Sequence, residues 1–377
     1  MDFSLTQRQQ ETRQRIQNYC RQELAAGAGD LDAAPVARTP EMMAARIRKL
    51  GESGLLGLGY PEGEGGSGGD LRDSVTLIRE LGEVCPATAL AVLSSVGLCA
   101  RALLEWGSGG DRKSLPALLR GEALGACGTQ EPEADLDSWR LRTEAVAAGG
   151  GFRVSGRKNM VVNAALAGVT VVPAALAGAA SLFLVEKGAA GLQVSALHEK
   201  IGCRGAPSSD LSLDGCPAVR LAAGDGAAAV AALRAREHLF LAALAGGALN
   251  AALVQAGVFA RDHKAGDKPL ARHQEISFKL ADMFLFLDTA QMLIERCVWL
   301  MDENSEETGV VASSAKCFAT ESAARAAGWA VQIMGQEGCK QGNPGERLYR
   351  DAKLLEILGD SSEKHRMYIA DQVLAEY

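Results

Sequence analysis

Hydrophobic positions recur with a helical period at both ends of the chain and lose it in the middle. Residues 2–23 carry a 3.6-residue pattern diluted by Gln and Arg, which predicts a surface helix. Residues 40–54 predict a second helix with Met42, Met43, Ile47 and Leu50 on one face, stopped by Gly54-Leu-Leu-Gly-Leu-Gly-Tyr-Pro61. The run Glu62-Gly-Glu-Gly-Gly-Ser-Gly-Gly-Asp70 reads as a flexible connection. A phosphate loop there needs a preceding strand and a following lysine, and has neither. Residues 73–106 give two more helices, the later one dense in Ala, Leu and Ser.

Between residues 124 and 221 strand-type segments follow one another: Phe152-Arg-Val-Ser155, Gly168-Val-Thr-Val-Val172, Ser181-Leu-Phe-Leu-Val185, Leu192-Gln-Val-Ser195 and Asp210-Leu-Ser-Leu213. Gly, Pro and Asp separate them, and Gly149-Gly-Gly151 suits a hairpin turn. From about 227 the helical period returns. Residues 237–261 are apolar almost all round, which predicts a central helix; 273–301, 310–334 and 348–377 complete a four-helix bundle. The expected fold is α+β multidomain: an N-terminal helical domain (1–122), a middle antiparallel β domain (123–225) and a C-terminal four-helix bundle (226–377). No internal repeat is visible.

Composition narrows the classes. A chain of 377 residues is too long for one ordinary core, in keeping with three units. With 47% hydrophobic residues but 5% aromatics, the cores are built from Ala, Leu and Val. A net charge of −7 without a Lys/Arg-rich run argues against a nucleic-acid partner. The nine cysteines show no CxxC pair and no metal-ligand spacing, as expected of free thiols in a reducing compartment. The first residues carry no basic and no apolar leader region, and no apolar run is expected to span a membrane, so a cytoplasmic location is the expectation.

One acid interrupts the apolar pattern of the central helix, in Arg236-Glu-His-Leu-Phe-Leu-Ala-Ala-Leu-Ala-Gly-Gly247. Glu237 has two readings. It is an acid held near a helix N-terminus by the dipole, or a base whose pKa is raised by an apolar pocket.

Four strings, in order, carry a resemblance. They are Leu55-Leu-Gly-Leu-Gly-Tyr-Pro-Glu62, Glu199-Lys-Ile-Gly-Cys-Arg-Gly-Ala-Pro-Ser-Ser-Asp210, Arg272-His-Gln-Glu-Ile-Ser-Phe-Lys-Leu-Ala-Asp-Met283, and the spaced pair Ala330-Val-Gln-Ile-Met-Gly335 and Leu348-Tyr-Arg-Asp-Ala-Lys-Leu354. Over nearly its whole length the chain resembles the acyl-CoA dehydrogenases. The resemblance implies an acyl-CoA or acyl-carrier-protein substrate. It also implies FAD between the β domain and the bundle, a homodimer or homotetramer with a neighbouring subunit completing the site, and an electron-transfer flavoprotein as partner. A glutamate takes the α-proton of the thioester and flavin takes the β-hydride.

The resemblance also distributes roles. Most members carry the base in the loop that reads Glu356-Ile-Leu-Gly-Asp-Ser-Ser-Glu363 here, and that position falls on Gly359. A minority resembling isovaleryl-CoA dehydrogenase place it on the first bundle helix, and a gapless count back from His273-Gln274 lands on Glu237. Asp360 is a second candidate base, or else a turn residue or cap. For the flavin, Gln130 and Glu131 open the loop Gln130-Glu-Pro-Glu-Ala-Asp-Leu-Asp137, with Gln130 in place of a ring-binding threonine and Leu136 in place of a phosphate-binding serine. Met160 stands for an aromatic that packs on the ring, and Val162 for a threonine near N5. On the neighbouring-subunit half, His263 replaces an arginine for the pyrophosphate and Asp267 adds a negative charge. Gln332 and Gly335 are kept there, and Gln336 replaces a second glycine. At the CoA end Ala235 replaces an aspartate and His238 an arginine, while Arg234 and Arg236 are candidates to meet a phosphate. Ala242, Ala243, Ala245 and Gly246-Gly247 read either as room for a branched acyl chain or as helix packing.

Three functions follow. The first is α,β-dehydrogenation of an acyl thioester with Glu237 as base and FAD as hydride acceptor. The second is a flavin-free isomerase, lyase or cyclase that keeps proton abstraction alone. The third is a non-catalytic subunit of a hetero-oligomeric dehydrogenase.

Overall fold

Residues 4–132, 139–222 and 224–375 are described by the computed structural model. The N-terminal unit is helical: α1 (Gln7–Tyr19), α2 (Ala28–Ala33), α3 (Thr39–Glu52), α4 (Leu71–Val84), α5 (Pro86–Val92), α6 (Arg101–Trp106) and α7 (Leu115–Leu119). Local chemistry sets the helix starts. Thr6 caps α1 reciprocally with Gln9, and Asp70 caps α4 with Asp73. The glycine-rich run ends at that Asp70 cap and is a connection, as expected. Between α5 and α6 the stretch Leu93–Ala100 winds as a π-helix. Its Ser95 Oγ accepts from the Gly125 N–H and its Ser94 hydroxyl donates to Val162 O, which fastens the helical unit to the sheet.

The middle unit is a seven-stranded sheet of β1 (Gly125–Cys127), β2 (Glu144–Ala148), β3 (Gly151–Val162), β4 (Val169–Leu176), β5 (Ala179–Glu186), β6 (Leu192–Val194) and β7 (Ser208–Leu221). Strands β4, β2, β3, β7 and β5 pair in a closed ring, with β1 added to β4 and β6 to β7. The expectation of an antiparallel sheet needs one correction. β1 and β2 both pair with β4 in parallel, because β4 arrives only after a longer excursion through β3. Those two strands went unpredicted. Gly-Ala-Cys and Glu-Ala-Val-Ala-Ala are poor in β-branched residues and are held by their neighbours.

The C-terminal unit contains α8 (Gly226–Asp262), a short hairpin of β8 (Lys264–Ala265) and β9 (Lys268–Pro269), α9 (Gln274–Asp302), α10 (Thr308–Met334), α11 (Pro344–Ile357) and α12 (Ser362–Leu374). Two expectations change here. The last bundle helix is split, because Gly359 (φ 65°) and Asp360 (φ 73°) are both left-handed. The central helix also begins earlier than its apolar pattern suggested, capped by Asp225 at Gly226. Glu237 therefore lies three turns inside α8, beyond the reach of the N-terminal dipole.

Two stretches, Pro86–Trp106 and Gly226–Asp262, are long and apolar enough to cross a membrane, contrary to the sequence expectation. Their apolar windows are 89% and 78% buried within the fold, which marks them as core helices. Ala242, Ala243 and Ala245 are fully buried. A Cβ on Gly247 would stand 2.1 Å from Arg79 O and one on Gly82 2.6 Å from Leu244 O, so α4 and α8 touch backbone to backbone. The small-residue stripe is thus packing, and none of it opens to a ligand.

Three units meet at Arg350. Its guanidinium pairs with Asp32 (2.6 Å), bonds Glu346 on its own helix and donates to Ile201 O (3.1 Å). The buried Asp351 accepts from the Cys203 N–H at 2.5 Å, and burial raises its pKa to about 6. The 199–210 and 348–354 strings are therefore a clamp between units. We expect Gly247→Val to lower stability by roughly 1–3 kcal/mol through overpacking against fixed backbone. Urea denaturation measures it, and an unchanged midpoint would contradict the close approach.

Candidate active site

α8 crosses the bundle so that Glu237 faces the β1–β2 connection and the turn between α11 and α12. Its carboxylate lies where two clefts meet. The outer one is lined by Trp139, Arg140, Arg234, Asp360 and Lys364, the inner one by Leu90, Leu93, Leu98, Met160, Val162 and Leu358. Thr129, Gln130 and Glu237 belong to both. Leu90, Leu93 and Leu98 come from α5 and the π-helical stretch, whose wider winding is a common device at functional sites, and Leu358 follows the end of α11.

The electrostatics favour a proton acceptor. Burial pushes the Glu237 carboxyl up to about 7, and nearby Asp360 adds to the rise. Opposing it are a hydrogen bond from Thr129 Oγ1 (2.9 Å) and the charges of Arg234 and Lys316. The carboxylate is thus poised near neutrality, where a general base is most effective. Gly359 leaves space for it. A Cβ at that position would come within 2.3 Å of Leu241 Cδ1 and 3.8 Å of Glu237 Cγ.

The 356–360 turn is held from behind. Lys316, fully buried on α10, donates to Glu356 O (2.9 Å) and Asp360 O (2.6 Å), and burial lowers its pKa to about 8. His365 Nε2 bonds Gly359 O at 2.9 Å, and burial holds that imidazole down at about 4, in its neutral form. With these carbonyls engaged, the Gly359 and Asp360 N–H groups face the cleft side and converge on the end of the Gln130 side-chain amide, which accepts from them at 3.1 and 2.9 Å when its Oε1 is turned to them. The opposite amide orientation would set an NH2 against two N–H donors. Two successive N–H groups turned to one point form a seat for a partial negative charge.

The other predicted residues divide. Arg234 lines the outer cleft 4.1 Å over the Trp139 ring, with Lys364 4.3 Å from the same ring. Asp360 lines that cleft too, its carboxylate tied to Lys364 at 3.0 Å. Glu131 is engaged in a buried pair with Lys158 (2.6 Å) and accepts from the Arg142 and Thr143 N–H groups, so it is a structural anchor. Arg236 turns away from the cleft and pairs with Glu105 of α6 at 2.8 Å, which corrects its assignment to a phosphate. His238 is buried with its ring 4.5 Å from that of His365 and lines a small recess together with Trp139 and Arg234. Met160 (φ 49°) and Val162 present an apolar wall to the inner cleft. His263 stacks on Phe259 at the exposed end of α8, and Gln332 and Gly335 are exposed at the end of α10; none of the three lines either cleft. Gln336 and Asp267 are exposed as well. Leu136 lies outside the described residues.

Sequence reasoning missed Thr129, Lys316, His365 and the paired N–H groups. Lys316 had a signal, being one charge between Ala315 and Cys317 on an apolar helix face. The N–H pair had none, since backbone direction depends on the left-handed turn.

Comparison with known proteins bears on the family and the fold. Three family models match: "Acyl-CoA dehydrogenase, N-terminal domain" over residues 6–122, "middle domain" over 126–216 and "C-terminal domain" over 224–374. A probable acyl-CoA dehydrogenase of Bacillus subtilis (strain 168), YngJ, is 33% identical, the match covering 99% of this chain and 100% of the relative. The structure of butyryl-CoA dehydrogenase from Megasphaera elsdenii superposes with a TM-score of 0.89 at 26% identity, covering 99% of this chain and 100% of that one. A glutaryl-coenzyme A dehydrogenase in complex with glutaryl-CoA gives 0.91 at 26% identity, covering 100% and 98%.

Thr129→Val removes the hydrogen bond that favours the ionised form. The Glu237 pKa is expected to rise further above 7, which a carboxyl titration followed by infrared difference spectroscopy would show. A fall or no change would contradict the assigned bond.

Proposed function

The chain belongs to the acyl-CoA dehydrogenases, FAD enzymes that oxidise acyl-CoA across the α,β bond, and on that premise we propose that Glu237 is its α-proton base. The observation that carries this reading is the pairing of a carboxylate raised to about 7 with two convergent N–H groups across the same cleft. The α-proton of a thioester is weakly acidic. Its removal needs a desolvated base on one side and donors for the developing enolate oxygen on the other. Glu237 supplies the first, and the Gly359 and Asp360 N–H groups supply the second. Asp360 is the weaker candidate, because its carboxylate is already paired with Lys364.

In this reading the two clefts take opposite ends of the substrate. The leucine-lined inner cleft takes an apolar acyl group, and the outer cleft, with Arg140, Arg234 and Lys364, takes the arm of an acyl-CoA. Arg234 precedes Glu237 by three residues, just under one turn and about 4.5 Å along the helix. A group so close to the base meets the thioester end of the arm, and its phosphates lie farther out.

The inner cleft also suits a flavin ring in kind. Met160, Val161 and Val162 form an uncharged wall, and Gln130 and Asn159 bring amide groups to it. When bound, the flavin supplies the acceptor for the β-hydride. In this reading the exposed His263, Gln332 and Gly335, which line neither cleft, serve the cofactor of a second copy in a homo-oligomer.

Two measurements test the proposal. Glu237→Gln is expected to lower dehydrogenation about a thousandfold while the flavin absorbance of the purified protein persists. In the parent enzyme kcat/KM should rise with pH through about 7, because the base acts ionised. A variant that retains most of its activity rules Glu237 out as base.

A further inference from the structure

The oxygen seat opposite Glu237 is occupied by the chain itself. With its amide in the orientation that sets no donor against a donor, Gln130 Oε1 accepts from both Gly359 N (3.1 Å) and Asp360 N (2.9 Å), in the cleft that Gln130 shares with Glu237. The neighbouring residue, Thr129, donates to Glu237. Two consecutive residues of one loop thus engage both halves of the site, the base and the seat.

An amide carbonyl and a thioester carbonyl are alike to this seat. Each offers one oxygen in the plane of an sp2 carbon, and two N–H groups converging on one point have room for one such oxygen. The held turn makes the competition strict. Lys316 and His365 fix the carbonyls of residues 356, 359 and 360, so the N–H pair cannot turn to donate elsewhere. Gln130 itself is the movable partner, since it is a partly exposed side chain on a loop.

We propose that Gln130 is an internal stand-in for the substrate carbonyl. It satisfies the Gly359 and Asp360 N–H groups in the free enzyme, and a thioester must displace it before Glu237 can act. This rests on the seat being the site of the thioester oxygen. Gln130 is a positioning residue here: it keeps the donors satisfied and aimed, and it sets a threshold that only a carbonyl-bearing ligand overcomes. A CoA thioether, which lacks the carbonyl, gains nothing by displacing it.

The test compares two probes on the full-length Glu237→Gln protein, which binds without turnover. Butyryl-CoA carries the carbonyl and S-butyl-CoA does not. Adding Gln130→Ala should tighten butyryl-CoA about five- to twentyfold by calorimetry, the scale of one or two freed hydrogen bonds, and leave S-butyl-CoA within about twofold. Gln130→Glu provides a second variant. Its carboxylate accepts more strongly from the same N–H pair and should weaken butyryl-CoA binding selectively. Equal changes for the two probes, equal binding or none, or weaker butyryl-CoA binding in Gln130→Ala overturn the proposal. The Glu237 assignment stands or falls separately, on the turnover of the single Glu237→Gln variant.

Discussion

Desolvation of one carboxylate is the constraint on which the other features of the site depend. Glu237 lies three turns inside the most buried helix of the bundle, where the dipole at the helix start gives no support. A charge there is costly unless something compensates it. The compensation is partial: one hydroxyl from Thr129 and the more distant charges of Arg234 and Lys316. The result is an acid near neutrality, neither locked as a carboxylate by an ion pair nor permanently protonated. Asp360 and Glu131 mark the contrast, since each has a lysine at 3.0 Å or closer.

Packing and chemistry are coupled through the 356–360 turn. A side chain at Gly359 would meet Leu241 and approach Glu237, so the missing side chain at one position and the acid at the other are parts of one arrangement. The left-handed pair Gly359–Asp360 breaks the last bundle helix and turns its N–H groups to the Gln130 amide, in the cleft that Glu237 shares. Lys316 and His365, both buried, hold that turn from within the bundle. The Arg350 and Asp351 clamp, a few residues upstream, ties α11 to the β6–β7 connection of the middle unit and to α2.

The three-unit architecture was legible because hydrophobic period alone separates helices from strands in long segments, and the motif strings placed Glu237 opposite a vacant Gly359. What the sequence hid follows a pattern. Ala- and Gly-rich strands such as β1 and β2 lack propensity and form because β4 and β3 offer them partners. The start of α8 was obscured by its run of alanines, and the earlier start removed the dipole reading of Glu237. Side-chain direction was the other gap. Arg234 and Arg236 look equivalent in sequence, yet two residues along a helix separate them by more than half a turn. One reaches the cleft, and the other reaches Glu105.

The account turns on the ionisation of Glu237 in the folded protein. Infrared difference spectroscopy of its carboxyl band against pH, with Glu237→Gln as the blank, measures it without substrate. A midpoint near 7 is the predicted result. A midpoint at the ordinary glutamate value, near 4.5, would mean that the carboxylate is well solvated or ion-paired, and it would contradict the assignment of Glu237 as a desolvated base.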